Sequence, residues 1–230
     1  MRLDKYLSNA GLGSRNDVKR FIRKKHVAVN GKVVTDPKSS VSAEDTVEID
    51  GEAIQLEQYI YFMLNKPSGV ISSTEEGATS TVIDLIDHPQ KDELFPVGRL
   101  DKDTTGLLLI SNDGKLAHTL LSPRKKQPKT YIATLAKAPE EKDLELLREG
   151  VPLKDFTSAP AQAHRLSEKV VELTITEGKF HQVKRMFGYL ENEVIALERI
   201  SFAGLELDGT LEPGEYRRLK ENEIALLRNV

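Results

Sequence analysis

The chain has 230 residues, 39% of them hydrophobic, enough to bury a core in one large domain or in a small one beside a larger one. It has no cysteine, which excludes a disulfide framework, a thiolate metal site and a thiol nucleophile and fits a reducing cytoplasm. No apolar run approaches the roughly 20 residues of a membrane-spanning helix, so a soluble, untargeted cytoplasmic protein with no membrane partner is expected. The net charge of -3 speaks against a nucleic-acid partner only until its distribution is read. Residues 1–38 hold 10 Lys and Arg against 3 Asp and Glu, a local balance of +7 that leaves -10 for the remainder.

Residues 13–25 begin a helix: Ser14 has Asp17 three positions later, the spacing at which hydroxyl and carboxylate cap a helix start reciprocally. Val18, Phe21 and Ile22 share one stripe, while Arg15, Lys19 and Arg23 recur every fourth residue with Arg20 and Lys24 beside them. The basic face is either a nucleic-acid footprint or a solvated surface, and charge alone does not choose. In 26–34, valines flank Asn30-Gly31, which predicts a hairpin because both turn residues tolerate positive φ. Another strand is predicted over 46–49, ended by Asp50-Gly51, and polar 52–58 reads as a linker. A boundary near Glu57 then separates domains over 1–57 and 58–230.

Beyond it, strands are predicted at 59–64, 107–111, 130–136, 159–166, 170–176, 194–200 and 215–219, and helices near 81–86, 115–121 and 140–149, the last stopped by Gly150. A helix over 180–190 places Phe180, Val183, Met186, Phe187 and Leu190 on a packed side and His181, Lys184 and Arg185 on a cationic one. Strands at hairpin spacing with interspersed helices predict an α+β fold around a largely antiparallel sheet with flanking helices, preceded by a small α/β module. In 98–110 a charged loop runs directly into the apolar strand Leu107 to Ile110. Such a strand is buried on both faces, so Asp101 sits at the rim of a rigid support. Asp101 and Asp103 either carry chemistry or cap turn amides there, as loop carboxylates routinely do.

The run Arg2-Leu3-Asp4-Lys5-Tyr6-Leu7, then Ser14-Arg15 and Val27-Ala28-Val29-Asn30-Gly31, resembles the S4 RNA-binding domain over about the first fifty residues. The resemblance implies that the basic helix lies against folded RNA and contacts phosphates. Gly98-Arg99-Leu100-Asp101 with Asp103-Thr104-Thr105-Gly106 is similar to the signature of pseudouridine synthases, in the branch of the ribosomal small-subunit enzymes. Asn65-Lys66-Pro67-Ser68-Gly69-Val70, Lys129-Thr130-Tyr131 and residues 177–187 resemble three further motifs of that family, in order.

That resemblance implies Asp101 as catalytic carboxylate, Arg99 beside it at the RNA, Tyr131 stacked on the target base and Lys184 paired with Asp101 to keep it ionised, where many relatives carry arginine. It also implies the pseudouridine synthase fold, and RNA contacts by the helix cations, Lys129, His181 and Arg185. The expected partner is structured ribosomal RNA, most closely that of the small subunit, within a pre-ribosomal particle, with the protein a monomer. The large subunit is the alternative target. An isomerisation needs no cofactor, and the five histidines show no metal-binding spacing, so neither cofactor nor metal is expected. A non-catalytic RNA-binding assembly factor and a carboxylate-dependent hydrolase are the rival functions.

Overall fold

In the computed structural model, which describes residues 1–75 and 77–230, the chain divides into two compact units. One is Met1–Tyr59 with Asp87–Glu93, the other Ile60–Ile86 with Leu94–Val230. Among the described residues no helix is long and apolar enough to cross a membrane.

The first unit holds α1 (Leu3–Asn9), α2 (Arg15–Arg23) and the strands β1 (Val27–Val29), β2 (Lys32–Val33), β3 (Val47–Ile49) and β4 (Glu52–Ile54) in the order β2-β1-β3-β4, all antiparallel. Ser14 and Asp17 form the expected reciprocal cap of α2. Val18 and Ile22 of α2 are fully buried with Leu3 and Leu7 of α1, but Phe21 is exposed, edge-on to His26. Packing against α1 selects the Val18/Ile22 line, and Phe21 lies one residue off it. The expected linker over 52–58 is a strand in its first half. Asp50 (φ 50°) and Gly51 (φ 88°) turn with the same two left-handed residues as Asn30 (φ 52°) and Gly31 (φ 73°), so β3 and β4 close a second hairpin.

In the second unit lie β5 (Tyr61–Lys66), β6 (Phe95–Pro96), β7 (Thr105–Ser111), α3 (Gly114–Leu121), β8 (Lys129–Leu135), α4 (Glu141–Glu149), β9 (Gln162–Ser167), β10 (Val170–Ile175), α5 (Gln182–Tyr189), β11 (Val194–Phe202), β12 (Leu205–Glu206), β13 (Tyr216–Arg218) and α6 (Glu221–Arg228). The sheet runs β13-β5-β7-β11-β8-β10-β9, with β12 on β11 and β6 on β7, and among its described pairs only β7 and β11 are parallel. This is the largely antiparallel mixed sheet with flanking helices that the pattern predicts. The segment 81–86 is not a helix. Its amides reach back only three residues, from Asp84 to Thr81 and from Ile86 to Ile83, and the turns stop short of Pro89, whose ring denies helical continuation to the residue before it. Helix α6, unforeseen, starts where the Glu223 carboxylate accepts the Lys220 amide.

Leu107, Leu108, Leu109 and Ile110 are fully buried and alternate between two hydrophobic clusters, one on each face of the sheet. At about 1.5–3 kcal/mol per side chain, that strand is a stiff anchor for the loop preceding it. Gly106 (φ 94°) makes its parallel pairing possible, since a Cβ there would run into the Arg199 carbonyl across the strand gap.

Candidate active site

The loop between β6 and β7 is tied down from the first strand of the unit. Lys66, at the end of β5, is fully buried, and its Nζ donates to the carbonyls of Thr104 (2.8 Å), Pro67 (3.0 Å) and Lys102 (3.2 Å). Ser72 clasps Leu100 from the other side, its Oγ accepting the Leu100 amide and its hydroxyl donating to the Leu100 carbonyl, both at 3.0 Å. The Gly69 amide donates to the Lys102 carbonyl at 2.8 Å. Burial pushes the Lys66 ammonium down to about 8 against the pull of Asp103 and Asp101. The motif Asn65-Lys66-Pro67-Ser68-Gly69-Val70 is thus the brace of the loop, which motif matching alone does not reveal.

Opposite the loop stands the start of α5. Gln182 accepts the Lys179 amide at 2.9 Å and donates to Glu177 at 2.6 Å, holding the turn that leads in. His181 adopts a left-handed conformation (φ 48°), so the helix begins only at Gln182. Phe180 therefore falls outside the helical stripe: it is 76% exposed and stacks on the His181 ring at 3.7 Å instead of packing with Val183, Met186 and Phe187.

These elements border a cleft of about 560 Å³, lined by Arg99, Asp101, Thr104, Lys129, Tyr131 and Lys184, among others. The half-buried Asp101 carboxylate lies 3.4 Å from Lys184 Nζ and 3.6 Å from His181 Nε2, and among the described residues it caps no turn amide. Lys184 is shared, with its nearer partner Asp103 at 2.5 Å. That ammonium holds the Asp103 carboxyl below the usual carboxylate range. The expected pairing of Lys184 with Asp101 is therefore one arm of a three-charge cluster.

Tyr131 is 7% exposed, packed between Leu173 of β10 and Arg199 of β11. Arg99 is exposed and makes no ion pair with Asp101 or Asp103. Lys129 is half-buried, donates to the Gln127 carbonyl at 2.9 Å and is pushed down to about 8 by burial and by Arg199. Arg185 does not join the cleft: it pairs with Asp155 and lies over the Phe156 ring. Arg15, Lys19, Arg20, Arg23 and Lys24 all lie on α2 of the first unit or at its end, where Arg20 pairs with Asp17. Among the described residues no group of His, Cys, Asp and Glu is placed to hold a metal ion. Arg199, a buried cation in the cleft wall, does not stand out in the sequence, because within Val194–Phe202 it reads as an ordinary strand residue.

A family model described as RNA pseudouridylate synthase matches residues 60–189, and the S4 domain model matches residues 1–47. The chain is 45% identical to an uncharacterized RNA pseudouridine synthase of Bacillus subtilis (strain 168), over 99% of this chain and 98% of that protein. It is 40% identical to ribosomal small subunit pseudouridine synthase A of Haemophilus influenzae, over 99% of each. Against ribosomal large subunit pseudouridine synthase B of Bacillus subtilis it is 38% identical, over 99% and 95%. Among solved structures, one titled as the crystal structure of pseudouridylate synthase superposes with a TM-score of 0.72 at 39% identity, covering 99% of both chains.

Proposed function

This chain belongs to the RNA pseudouridylate synthase family, and from that premise we propose that Asp101 is the carboxylate with which it converts a uridine of small-subunit ribosomal RNA to pseudouridine. The observation that carries the reading is the state of Asp101: braced from behind by Lys66, facing a cleft, and left without a turn amide to cap. The reaction breaks the bond from uracil N1 to the ribose, turns the detached base and rejoins it through C5. Product and reactant are isomers, so neither redox equivalents nor an energy donor is consumed. A carboxylate fixed at the ribose serves by attacking it, by shielding positive charge that develops there, or by removing a ribose proton.

Lys184 places an ammonium 3.4 Å from the Asp101 carboxylate, and the His181 ring reaches to 3.6 Å from it. Tyr131 presents a rigid ring in the wall against which the base stacks. A uridine must leave its stack to enter such a cleft, at a cost of a few kcal/mol, and Arg99, exposed at the rim, has the flat cation to occupy the space vacated. The exposed cations of α2 contact RNA phosphates.

The small-subunit target is supported by the Haemophilus influenzae relative, and the 38% identity to a large-subunit enzyme supports ribosomal RNA of the other subunit as the second reading. Mapping pseudouridines in ribosomal RNA with and without the protein separates them. Asp101→Asn should abolish the modification while stability stays within about 1 kcal/mol, because the lost ion pair is partly solvated. Turnover by that variant would refute the role of Asp101.

A further inference from the structure

Two buried side-chain atoms among the described residues, Arg199 Nη2 and Thr104 Oγ1, have no hydrogen-bond partner in the protein. Arg199 is 2% exposed and Thr104 equally so, and both line the cleft that holds Asp101. Orphaned polar groups inside a core are costly, and a guanidinium is the costliest to strand. Arg199 is nonetheless firmly placed. Its Nε donates to the Leu107 carbonyl at 2.9 Å, and its guanidinium lies 5.0 Å from the centre of the Phe202 ring. On β11 it stands opposite Tyr131 of β8, so both side chains project from the same face of the sheet. The spare nitrogen is thus held in position with nothing in the protein to receive its proton.

We propose that Arg199 is a base-reading residue: its free Nη2 donates to the O4 carbonyl oxygen of the swung-out uracil, and Thr104 supplies a second polar contact to the same ring. A guanidinium has donors only. Uracil presents a carbonyl oxygen at C4, where cytosine carries an amino group that only donates, so Arg199 accepts uridine and leaves cytidine facing it donor to donor. Discrimination of this kind is large where a site is built around a buried hydrogen bond. Lys129 reinforces it: its ammonium shares the Phe202 ring with Arg199, at 5.7 Å, so the wall of the cleft carries two cations. This inference rests on the reading that the cleft holds uridine, and adds which protein atom recognises it.

The test uses the intact protein and an RNA fragment containing the mapped site, with the target uridine unmodified or replaced by 4-thiouridine or 2-thiouridine. Sulfur accepts hydrogen bonds poorly, so 4-thiouridine should slow single-turnover isomerisation by roughly tenfold or more while 2-thiouridine reacts at close to the normal rate. Arg199→Lys should show a loss of similar size on unmodified RNA and little further loss on the thio substrate, since the hydrogen bond is already gone. RNA affinity and its salt slope should be unchanged. Equal rates of the intact protein on unmodified and 4-thiouridine RNA would overturn the proposal even if Arg199→Lys fails to fold. So would an Arg199→Lys variant that turns over unmodified RNA at the normal saturating rate. No product from unmodified RNA with the intact protein overturns the uridine reading itself, a result distinct from either of these.

Discussion

Replacing Lys66 by methionine isolates the brace of the Asp101 loop, because the side chain is fully buried and its ammonium touches three loop carbonyls. Two opposing effects set the magnitude. Burial lowers the ammonium from 10.5 to about 8, so removing it relieves about 3 kcal/mol of desolvation. Against this, the carbonyls of Pro67 and Thr104 lose the ammonium at about 1–3 kcal/mol each, while that of Lys102 keeps the Gly69 amide. The carbonyls win narrowly, and Lys66→Met should lose about 1 kcal/mol in urea unfolding. Activity should fall further, by about 100-fold at saturating RNA, since a shift of about 1 Å in a reacting group is enough for that. RNA affinity should hold, because Lys66 is remote from solvent. A Lys66→Met protein with normal stability and normal turnover would refute the idea that the lysine positions the loop.

The same lysine makes stability depend on pH in an unusual sense. Lys66 and Lys129 are both lowered from 10.5 to about 8, so between those values the unfolded chain binds more protons than the folded one. Their penalty is present below about 8 and fades as pH rises towards 10.5; urea midpoints should therefore climb on the alkaline side, and less so in Lys129→Met. Lys184→Met should raise the Asp103 carboxyl towards its ordinary value, read by a carbon-detected NMR titration, because its nearest cation is gone. Gly106→Ala should melt far below the parent or fail to fold, since its Cβ meets backbone rather than a side chain able to move. Replacing Arg15, Lys19 and Arg23 together by alanine should weaken RNA binding and lower its salt slope by about 0.7–0.9 for each phosphate no longer neutralised; an unaltered slope would remove α2 from the interface.

Features governed by neighbours in the chain were legible in the sequence alone. The Ser14/Asp17 cap, the Asn30-Gly31 hairpin, the apolar run of β7 and the helix after Gln182 each follow from interactions spanning a few residues. The motif order pointed to the loop at Asp101, which borders the cleft. What packing decided was different in kind. The Val18/Ile22 line of α2, rather than Phe21, became its buried edge because α1 lies there, and a left-handed His181 put Phe180 outside. Lys184 found Asp103 nearer than Asp101, and Lys66 and Arg199 met the site from strands far apart in the chain. Periodicity reports which side chains share a face of one element, but the partners that satisfy a buried charge come from strand pairing across the sheet. Only the folded chain brings those together.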